Sequence, residues 1–502
     1  MNKFFEMYKV IIKSVFCLFF IIVVSCECVY SQSIPKKYTL EDVITLAHVQ
    51  SPDAFVAKHK YRSNYWEYKS FKASFLPQLN LDATIPSLNR NLSKITMQDG
   101  SDMFLRRSLA NSSMGLSLSK IVGFTGGQLF VKSDLQRIDN FSDTTKQYMT
   151  TPISVGFNQP LFSYNPYKWS KKIEPLKYQE AEKQFMEDME NVSISATNVF
   201  FDLLLAQITI EVSKINQANN DTLFKIAKGR FNLGKIAENE LLQLELSLLN
   251  SNSQLEQAKI DYEARLFKFK SFLGIKEVDK IEIVPPTNVP GLKIEVQKAL
   301  VEAKQNRAQI VSFERQIIEA QSGINQAKAE NRFNVNLFAM YGLSQSAYDD
   351  LSAAYKNPQD MQQLTVGVQV PILNWGVGKG KVKMAQSKME LTKTTVEQAL
   401  TDFEQEIFLS VMGFNMQQSQ LFIASKADTI GQKRYFVTKQ RYLIGKIAIT
   451  ELNIASAEKD LAKQSYVAAL RNFWKGFYEI RKLTLFDFVE NKQITIDFET
   501  LK

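Results

Sequence analysis

The sequence predicts a mixed α/β membrane protein built from two copies of one structural plan. Three observations lead to this prediction: an export signal, motifs that recur at a fixed spacing, and strands of alternating polarity that precede very long helices. The chain has 502 residues but only 20 Gly and 13 Pro. Because so few residues break helices, long helices are favoured over many short elements.

The first 31 residues have the pattern of a targeting segment. Lysines precede the apolar segment Ser14–Val24, which is too short to cross a membrane as a helix. Two interpretations stay open: a signal peptide cleaved after Ser31, or a lipoprotein signal that ends before a lipidated Cys26. All three cysteines lie in this segment, so we expect no disulfide or thiolate chemistry in the folded part that follows it.

No catalytic, cofactor or metal site is indicated. His48 and His59 lack the spacing of a zinc pair, and no pair of carboxylates stands beside a histidine or cysteine. The glycines of NWGVGKGK (374–381) lack a P-loop ending, and the corresponding segment in the other half has no glycine. We therefore expect neither an enzyme nor a cofactor.

The charge pattern excludes nucleic acid as a partner. The formal net charge is +9, from 61 basic and 52 acidic side chains. These charges are mixed along the predicted helices, with no basic block interleaved with aromatic residues. A mildly basic protein of the cell envelope fits this composition better.

An internal repeat determines the predicted architecture. RFNLGKIAENELL (Arg230–Leu242) recurs as RYLIGKIAITELN (Arg441–Asn453), 211 residues later, and VGFNQPLF (155–162) recurs as VGVQVPIL (366–373) at the same spacing. The first predicted strands are instead 257 residues apart, so the first half carries roughly 45 extra residues. We divide the chain after the signal into a first αβ repeat and a second αβ repeat with a C-terminal equatorial segment. Their ranges are 32–290, with an inserted loop at 87–148, and 291–502.

Each repeat is expected to contain helix, strands, a very long helix and a return helix. Residues 39–74 and 294–330 have helical patterns, and Thr39 with Asp42 forms a capping-box signal. The long helices, from about Tyr167 and Lys379, would have roughly 60 residues and span about 90 Å. The return helices repeat apolar residues every seven positions, which indicates coiled-coil packing.

Two strands are predicted in each repeat, with apolar and polar residues in alternation. Leu79, Leu81 and Ala83 alternate with Asn80 and Asp82, and the second repeat has the same pattern. Each run is about as long as a tilted strand that crosses a bilayer. A soluble sandwich with one wet face is the alternative. The insert is interpreted as a long extracellular hairpin, with 127–136 as an added strand.

An ordinary helix reversal does not explain all the residues that the two turns share. Gly234 and Gly445 can adopt the left-handed conformation that ends a helix. Glycine does not explain why Leu233, Ile236, Ile444 and Ile447 would be apolar at an exposed tip. Exposed apolar residues at a turn indicate a docking surface.

Taken together, export, the QPLF and VPIL strand ends and the RFNLGKIA and RYLIGKIA turns resemble TolC-type outer-membrane efflux proteins, over roughly residues 38–490. The resemblance implies a homotrimer in the outer membrane of a Gram-negative bacterium. Each chain would give four strands to one shared β-barrel in lipid and its long helices to a periplasmic α-barrel. Association also follows from physics, because four strands cannot close a barrel and open edges are not tolerated in lipid.

The function that the resemblance implies is a passive duct in a tripartite efflux or type I secretion system. Its partners would be a periplasmic membrane-fusion adaptor and an inner-membrane pump. The candidate adaptor contacts are Leu233, Gly234, Lys235, Ile236, Ala237, Ile444, Gly445, Lys446, Ile447 and Ala448. The candidate gate residues at the periplasmic end are Asn239, Glu240, Tyr442 and Glu451.

Two other classes of protein remain as alternatives. A periplasmic coiled-coil scaffold without a channel would share the helices but not the two-faced strands. A stand-alone porin would share the strands but have no use for the long helices. Membrane fractionation distinguishes a scaffold from a duct. Crosslinking from the turns to an adaptor distinguishes a duct from a porin.

Overall fold

A computed structural model describes residues 36–276 and 281–501. The predicted signal at 1–31 and the candidate lipidation site Cys26 lie outside the described residues. The helices are α1 (Leu40–Gln50), α2 (Pro52–Ala73), α3 (Pro166–Asn232), α4 (Glu238–Leu273), α5 (Val296–Asn306), α6 (Ala308–Glu330), α7 (Val377–Leu443) and α8 (Ile449–Thr484). The strands are β1 (Lys36–Tyr38), β2 (Gln78–Thr96), β3 (Asp102–Val122), β4 (Gly127–Asn140), β5 (Thr145–Leu161), β6 (Ile281–Ile283), β7 (Asn334–Tyr348), β8 (Gln359–Gln369), β9 (Phe486–Asp487) and β10 (Lys492–Gln493).

The predicted repeat is present in the helix bounds themselves. α3 and α7 each have 67 residues, and α4 and α8 each have 36. Every bound of α7 and α8 follows its counterpart in α3 and α4 by 211 residues. At a rise of about 1.5 Å per residue, each long helix spans about 100 Å.

The first helical segment begins as predicted but is interrupted. The amide of Asp42 donates to Thr39 Oγ1 at 3.2 Å, and the amide of Thr39 donates to Asp42 Oδ2 at 2.9 Å, which completes the capping box. The segment predicted as one helix then breaks at Ser51, whose hydroxyl accepts from the amide of Ala54. Pro52 occupies the first helical position of α2, where its missing N–H costs nothing.

The corresponding segment of the second half breaks at Arg307, where the sequence has neither glycine nor proline. Arg307 is extended and 9 % exposed, and its guanidinium pairs with Glu187 and Glu406 at 3.5 and 3.1 Å. The amide of Ala308 donates to Glu187 Oε1 at 2.9 Å. A carboxylate from α3 therefore caps α6, which local sequence could not reveal.

One large antiparallel sheet stands at one end of the long helices. Its strand order is β2, β3, β4, β5, β7, β8, with every neighbouring pair antiparallel. A separate parallel pair, β1 with β6, lies beside the helical core, and β9 pairs with β10.

The first half contributes four strands to this sheet rather than the two predicted. Residues 87–148, expected as an inserted loop, form the second half of β2, all of β3 and β4 and the start of β5. The predicted added strand at 127–136 is confirmed as part of β4. β7 begins 256 residues after β2, one fewer than the sequence match suggested, so the first half has 45 extra residues. Because the insert alternates polarity like its neighbours, it joins the sheet as one more hairpin.

The main hydrophobic core lies around the middle of the long helices. Its large side chains include Phe200, Phe269, Phe403, Phe414 and Phe473, each 1 % exposed or less. Among the described helices, α3 alone has a stretch apolar enough to cross a membrane, and half of that stretch is buried. Since α3 supplies so much of this core, its apolar stretch is packed within the protein.

Candidate functional site

The two repeated turns have the same backbone geometry. Gly234 has φ of 66°, and Gly445 has φ of 74°. In the first turn the amide of Lys235 donates to the carbonyl of Arg230 at 2.9 Å, and the amide of Gly234 donates to that of Phe231 at 2.8 Å. The second turn has the same two bonds, at 3.0 and 2.9 Å. This pair of bonds defines the Schellman motif, which satisfies carbonyls left open at a helix end.

Glycine is needed in both turns for its conformation and not for space. A Cβ atom added at Gly234 or Gly445 would meet no other atom within 4 Å. A left-handed conformation costs an ordinary residue about 1–2 kcal/mol. A larger residue would therefore strain the turn without a clash.

Only part of the predicted apolar tip is exposed. Leu233 and Ile444 are 72 % and 65 % exposed, as expected for a docking surface. Ile236 and Ile447 instead pack against a small cluster between the two hairpins, which corrects the expectation that all four point outward. The sequence pattern does not show which side chains turn back, because that depends on the second hairpin.

The tip also carries positive charge. Lys235 and Lys446 are exposed, and neither ammonium group pairs with another side chain in the part of the chain that the structure describes. Ala237 and Ala448 are exposed and precede α4 and α8 without a side-chain cap. The tip therefore presents an exposed aliphatic side chain and a lysine from each turn.

The two hairpins pack side by side just above their turns. The buried cluster between them consists of Leu223, Ala227, Leu244, Tyr442, Ile449 and Leu452. Arg230 Nη2 donates to the carbonyl oxygen of Leu443 at 2.6 Å, and its guanidinium lies 5.9 Å from the ring of Tyr442. The sequence alone does not mark Arg230 as a link between the turns, although both copies of the motif begin with arginine.

The four candidate gate residues are not equivalent. Asn239 and Glu451 are exposed and Glu240 is half-buried, and their side chains make no hydrogen bond or ion pair within residues 36–276 and 281–501. Tyr442 is 4 % exposed, and burial raises the pKa of its phenol, although the charge of Arg230 opposes the rise. Three of the four thus remain available near the tip, whereas Tyr442 belongs to the packing between hairpins.

The sheet at the opposite end has one largely apolar face and one face that is polar except for Phe130, Phe338 and Met340. Residues paired across neighbouring strands point to the same side of a sheet. The apolar face, from 41 % to 72 % exposed, includes Leu79, Leu81, Met114, Leu116, Leu118, Leu129, Val155, Tyr341, Leu364, Val366 and Val368. The other face carries Asn80, Asp82, Ser113, Ser117, Lys132, Asp134, Ser154, Asn158, Asn336 and Thr365.

Asn165, a residue that the sequence pattern did not reveal, joins the sheet to the long helices. Its Oδ1 accepts from the amide of Lys168 at 3.1 Å and so caps α3. Its Nδ2 donates to the carbonyls of Gly123 and Phe124, at 3.1 and 3.2 Å, in the turn between β3 and β4. Asparagine followed by proline is typical of a bend, but only the fold shows the hairpin that Asn165 holds.

Comparison with known proteins supports the same architecture. Residues 299–483 match the family described as outer membrane efflux protein. Toxin and drug export protein A of Aggregatibacter actinomycetemcomitans is 19 % identical over 368 residues, which cover 68 % of this chain and 79 % of that protein.

Solved structures extend the likeness to most of the chain. The Campylobacter jejuni CmeC outer membrane channel aligns with a TM-score of 0.65 at 16 % identity, over 92 % of this chain and 88 % of that one. The open state of the Neisseria gonorrhoeae MtrE outer membrane channel aligns with a TM-score of 0.61 at 12 % identity, over 91 % of each chain. The second half of the chain is thus similar to the outer membrane efflux protein family, and the whole chain has the fold of these outer-membrane channels.

Proposed function

We propose that this chain is the outer-membrane duct of a tripartite efflux or type I secretion system, through which a pump drives substrates passively to the exterior. One observation carries the proposal: a sheet with an exposed apolar face stands at one end of helices about 100 Å long, and paired turns form the other end. The apolar face of the sheet suits contact with lipid, and the end with the turns suits contact with a periplasmic partner. The relative is described as a toxin and drug export protein, which favours toxins or drugs as the substrates of this chain.

Closure of the barrel requires more than one copy. β2 and β8 have no strand partner on their outer edges among the described residues. Open edges are not tolerated in lipid, because their N–H and C=O groups would have no partner there. Three copies of the chain would pair these edges in turn, as in the trimeric channels of the family.

The turns are proposed as the adaptor contact. Leu233 and Ile444 provide apolar contacts, and Lys235 and Lys446 provide charges that suit an adaptor tip with acidic side chains. Asn239, Glu240 and Glu451 are the proposed gate residues. A pump would reach the duct through the adaptor or directly.

A coiled-coil scaffold remains the alternative, and the sheet weighs against it. Leu364, Val366 and Val368 on β8 are 57 % exposed or more, which a periplasmic protein would present to water. Conductance of the purified protein in planar bilayers decides between the two, because a scaffold would not form a pore even if a lipid at Cys26 held it in the outer membrane.

Substitution of the turn glycines tests the duct and its docking end. Gly234→Val and Gly445→Val should abolish export, since valine strains a left-handed turn, while the barrel still inserts. Gly413→Val is the matched control, because Gly413 lies within α7 with open space around it. The measurements are drug susceptibility and the amount of trimer in outer membranes. Unchanged export in both turn variants would contradict the docking role.

A further inference from the structure

Because each chain contributes six strands and not the predicted four, a barrel made of several copies has more strands and a greater width than expected. We propose that three copies close an 18-stranded barrel, in which the β3–β4 hairpin is a membrane-spanning part of the wall and widens the outlet beyond that of a 12-stranded barrel. The inference rests on the proposed trimeric channel.

The hairpin is integrated into the sheet along its length. β3 pairs with β2 from Gln78↔Ser119 to Thr96↔Asp102, and β4 pairs with β5 from Gln128↔Asn158 to Asn140↔Thr145. In a four-strand arrangement β2 would pair directly with β5. Here β3 and β4 separate these two strands, so the hairpin is not an appendage of the sheet edge.

The hairpin has the polarity that a lipid-facing wall requires. Leu116 and Leu118 on β3 and Leu129 on β4 belong to the exposed apolar face, in line with residues of the neighbouring strands. Ser117 and Lys132 point to the polar face. Strands of a membrane barrel alternate in this way between lipid and a polar lumen. A hairpin folded into the lumen or outside the membrane would not need a lipid-facing side.

The turn of the hairpin is fixed where the sheet meets the helices. Asn165 donates to the carbonyls of Gly123 and Phe124, and a Cβ atom at Gly123 would lie only 2.9 Å from the ring of Phe75. α2 and α6 lead into β2 and β7, and α3 and α7 follow β5 and β8, whereas β3 and β4 are joined to no helix. The extra hairpin therefore adds to the barrel and nothing to the helical tube.

The remaining edges are compatible with closure by copies of the chain. β2 leads away from α2 and β8 leads toward α7, so the two edge strands run in opposite directions. An antiparallel pair between β2 of one copy and β8 of the next would continue the pattern of the whole sheet. Three copies then contribute 18 strands.

Strand number sets the width of the outlet. With strands about 4.8 Å apart and tilted by about 40°, 18 strands give a backbone diameter of about 36 Å, against about 24 Å for 12 strands. The lumen would be lined by the polar face of the sheet. The narrowest passage would then lie in the helical tube. Substrates that pass through this tube would not be retained by the wider barrel.

Cysteine pairs test the strand order directly, because the only native cysteines lie at positions 17, 26 and 28. Asn80, Ser117, Lys132 and Ser154 form one row across β2, β3, β4 and β5 on the polar face. The variants N80C/S117C and K132C/S154C should form disulfides in outer membranes, since paired positions are close enough for that bond. N80C/S154C should not, because three strand spacings of about 4.8 Å separate these positions.

A disulfide in N80C/S154C, or none in the two adjacent pairs, would overturn the 18-stranded barrel. Native gels of the same samples report the trimer separately. Trimers that contain the β2–β5 disulfide would leave the proposed duct standing and remove only this inference, whereas loss of the trimer would remove the duct itself.

Polymer exclusion measures the width. A variant in which Asn-Gly replaces residues 97–144 would join β2 to β5 and leave four strands per chain. Polyethylene glycols added from the outer side should enter the native channel up to a radius about 6 Å larger than this variant admits, which is half the difference between the two backbone diameters. Equal size limits would contradict the inference, and the disulfide pattern decides the case if the shortened chain does not assemble.

Discussion

Arg230 joins the two helix turns of the chain, because its Nη2 donates a hydrogen bond of 2.6 Å to the carbonyl oxygen of Leu443, the last residue of α7. Carbonyls in the last turn of a helix have no partner within the helix. A cation at that position also interacts favourably with the negative end of the helix dipole. One side chain thus caps the second hairpin from the first, and its guanidinium lies near the ring of Tyr442.

Replacement of Arg230 by alanine should loosen the contact between the hairpins. Loss of this half-exposed charged hydrogen bond is expected to cost roughly 1 kcal/mol. Since the contact lies at the proposed periplasmic entrance, channel conductance in planar bilayers should rise. Arg230→Lys keeps the charge but not the planar fork, so its effect should be intermediate. Conductance of Arg230→Ala equal to that of the native channel would exclude a restraining role.

Arg441, the repeat counterpart of Arg230, is expected to make the same contact between copies. Its guanidinium has no hydrogen bond or ion pair with the residues that the structure describes, and it lines an open groove with Glu451 and Ile454. The counterpart of the buried Tyr442 is Phe231, which is 37 % exposed. In a closed ring of hairpins, Arg441 would cap the carbonyl of Asn232 in the next copy, and that copy's Phe231 would become covered.

This contact predicts a selective effect on assembly. Arg441→Ala should lower the temperature at which the trimer dissociates on a detergent gel, because it removes three contacts between copies. Arg434→Ala is the matched control, since Arg434 already pairs with Glu458 within the chain at an exposed site. Equal dissociation temperatures for the two variants would argue against the contact.

The sequence predicted those features that depend on local pattern or repetition. The spacing of 211 residues located both long helices, and the glycine in each turn located both reversals. Alternation in residues 79–83 identified a two-faced strand. These features are visible in sequence because the residues that form them are close together or occur twice.

What the sequence did not predict depends on contacts between distant residues. The break at Arg307 is stabilised by Glu187, about 120 residues earlier in the chain. Ile236 and Ile447 turn inward because the other hairpin lies beside them. The insert has no counterpart in the second half, so repetition could not show that it adds two strands to the sheet.

Two substitutions at Asn165 should separate its two roles. Asn165→Asp keeps an oxygen that caps α3 but loses the N–H donors to Gly123 and Phe124. Asn165→Ala loses both, and the missing cap is expected to cost about 1 kcal/mol more. Hydrogen exchange in residues 122–127 should increase in both variants. The midpoint temperature of thermal unfolding should fall further in Asn165→Ala than in Asn165→Asp. Unchanged exchange in Asn165→Asp would mean that the side chain does not hold the hairpin.

A buried ionic cluster links α3 to the end of α8. Arg481 pairs with Glu190 at 3.1 Å and with Asp487 at 2.5 Å. Glu190 is 4 % exposed, and burial raises the pKa of its carboxyl above the usual value while the charge of Arg481 opposes the rise. The other titratable groups near Arg481 are Tyr478, His48 and Lys492. The cluster therefore depends on one arginine to balance a carboxylate removed from water.

Arg481→Met should destabilise the chain by about 3–5 kcal/mol, because it leaves the carboxylate of Glu190 buried without its partner. The double variant Glu190→Gln/Arg481→Met should be more stable than Arg481→Met at pH 7, although it carries one more substitution. Thermal unfolding in detergent, followed by circular dichroism, measures both. A double variant less stable than the single one would show that the charge of Glu190 is not the cause.

The same pair of variants should differ in pH dependence. When a carboxyl has a higher pKa in the folded chain, the folded state binds protons more tightly, so stability is lost as pH rises through that pKa. Without Arg481 the pKa of Glu190 should rise further, so the free energy of unfolding of Arg481→Met should increase from pH 7 to about pH 5. The pKa of His48 is lowered by burial, which has the opposite sign but is common to both variants. The difference between the two curves therefore isolates Glu190, and parallel curves would refute its raised pKa.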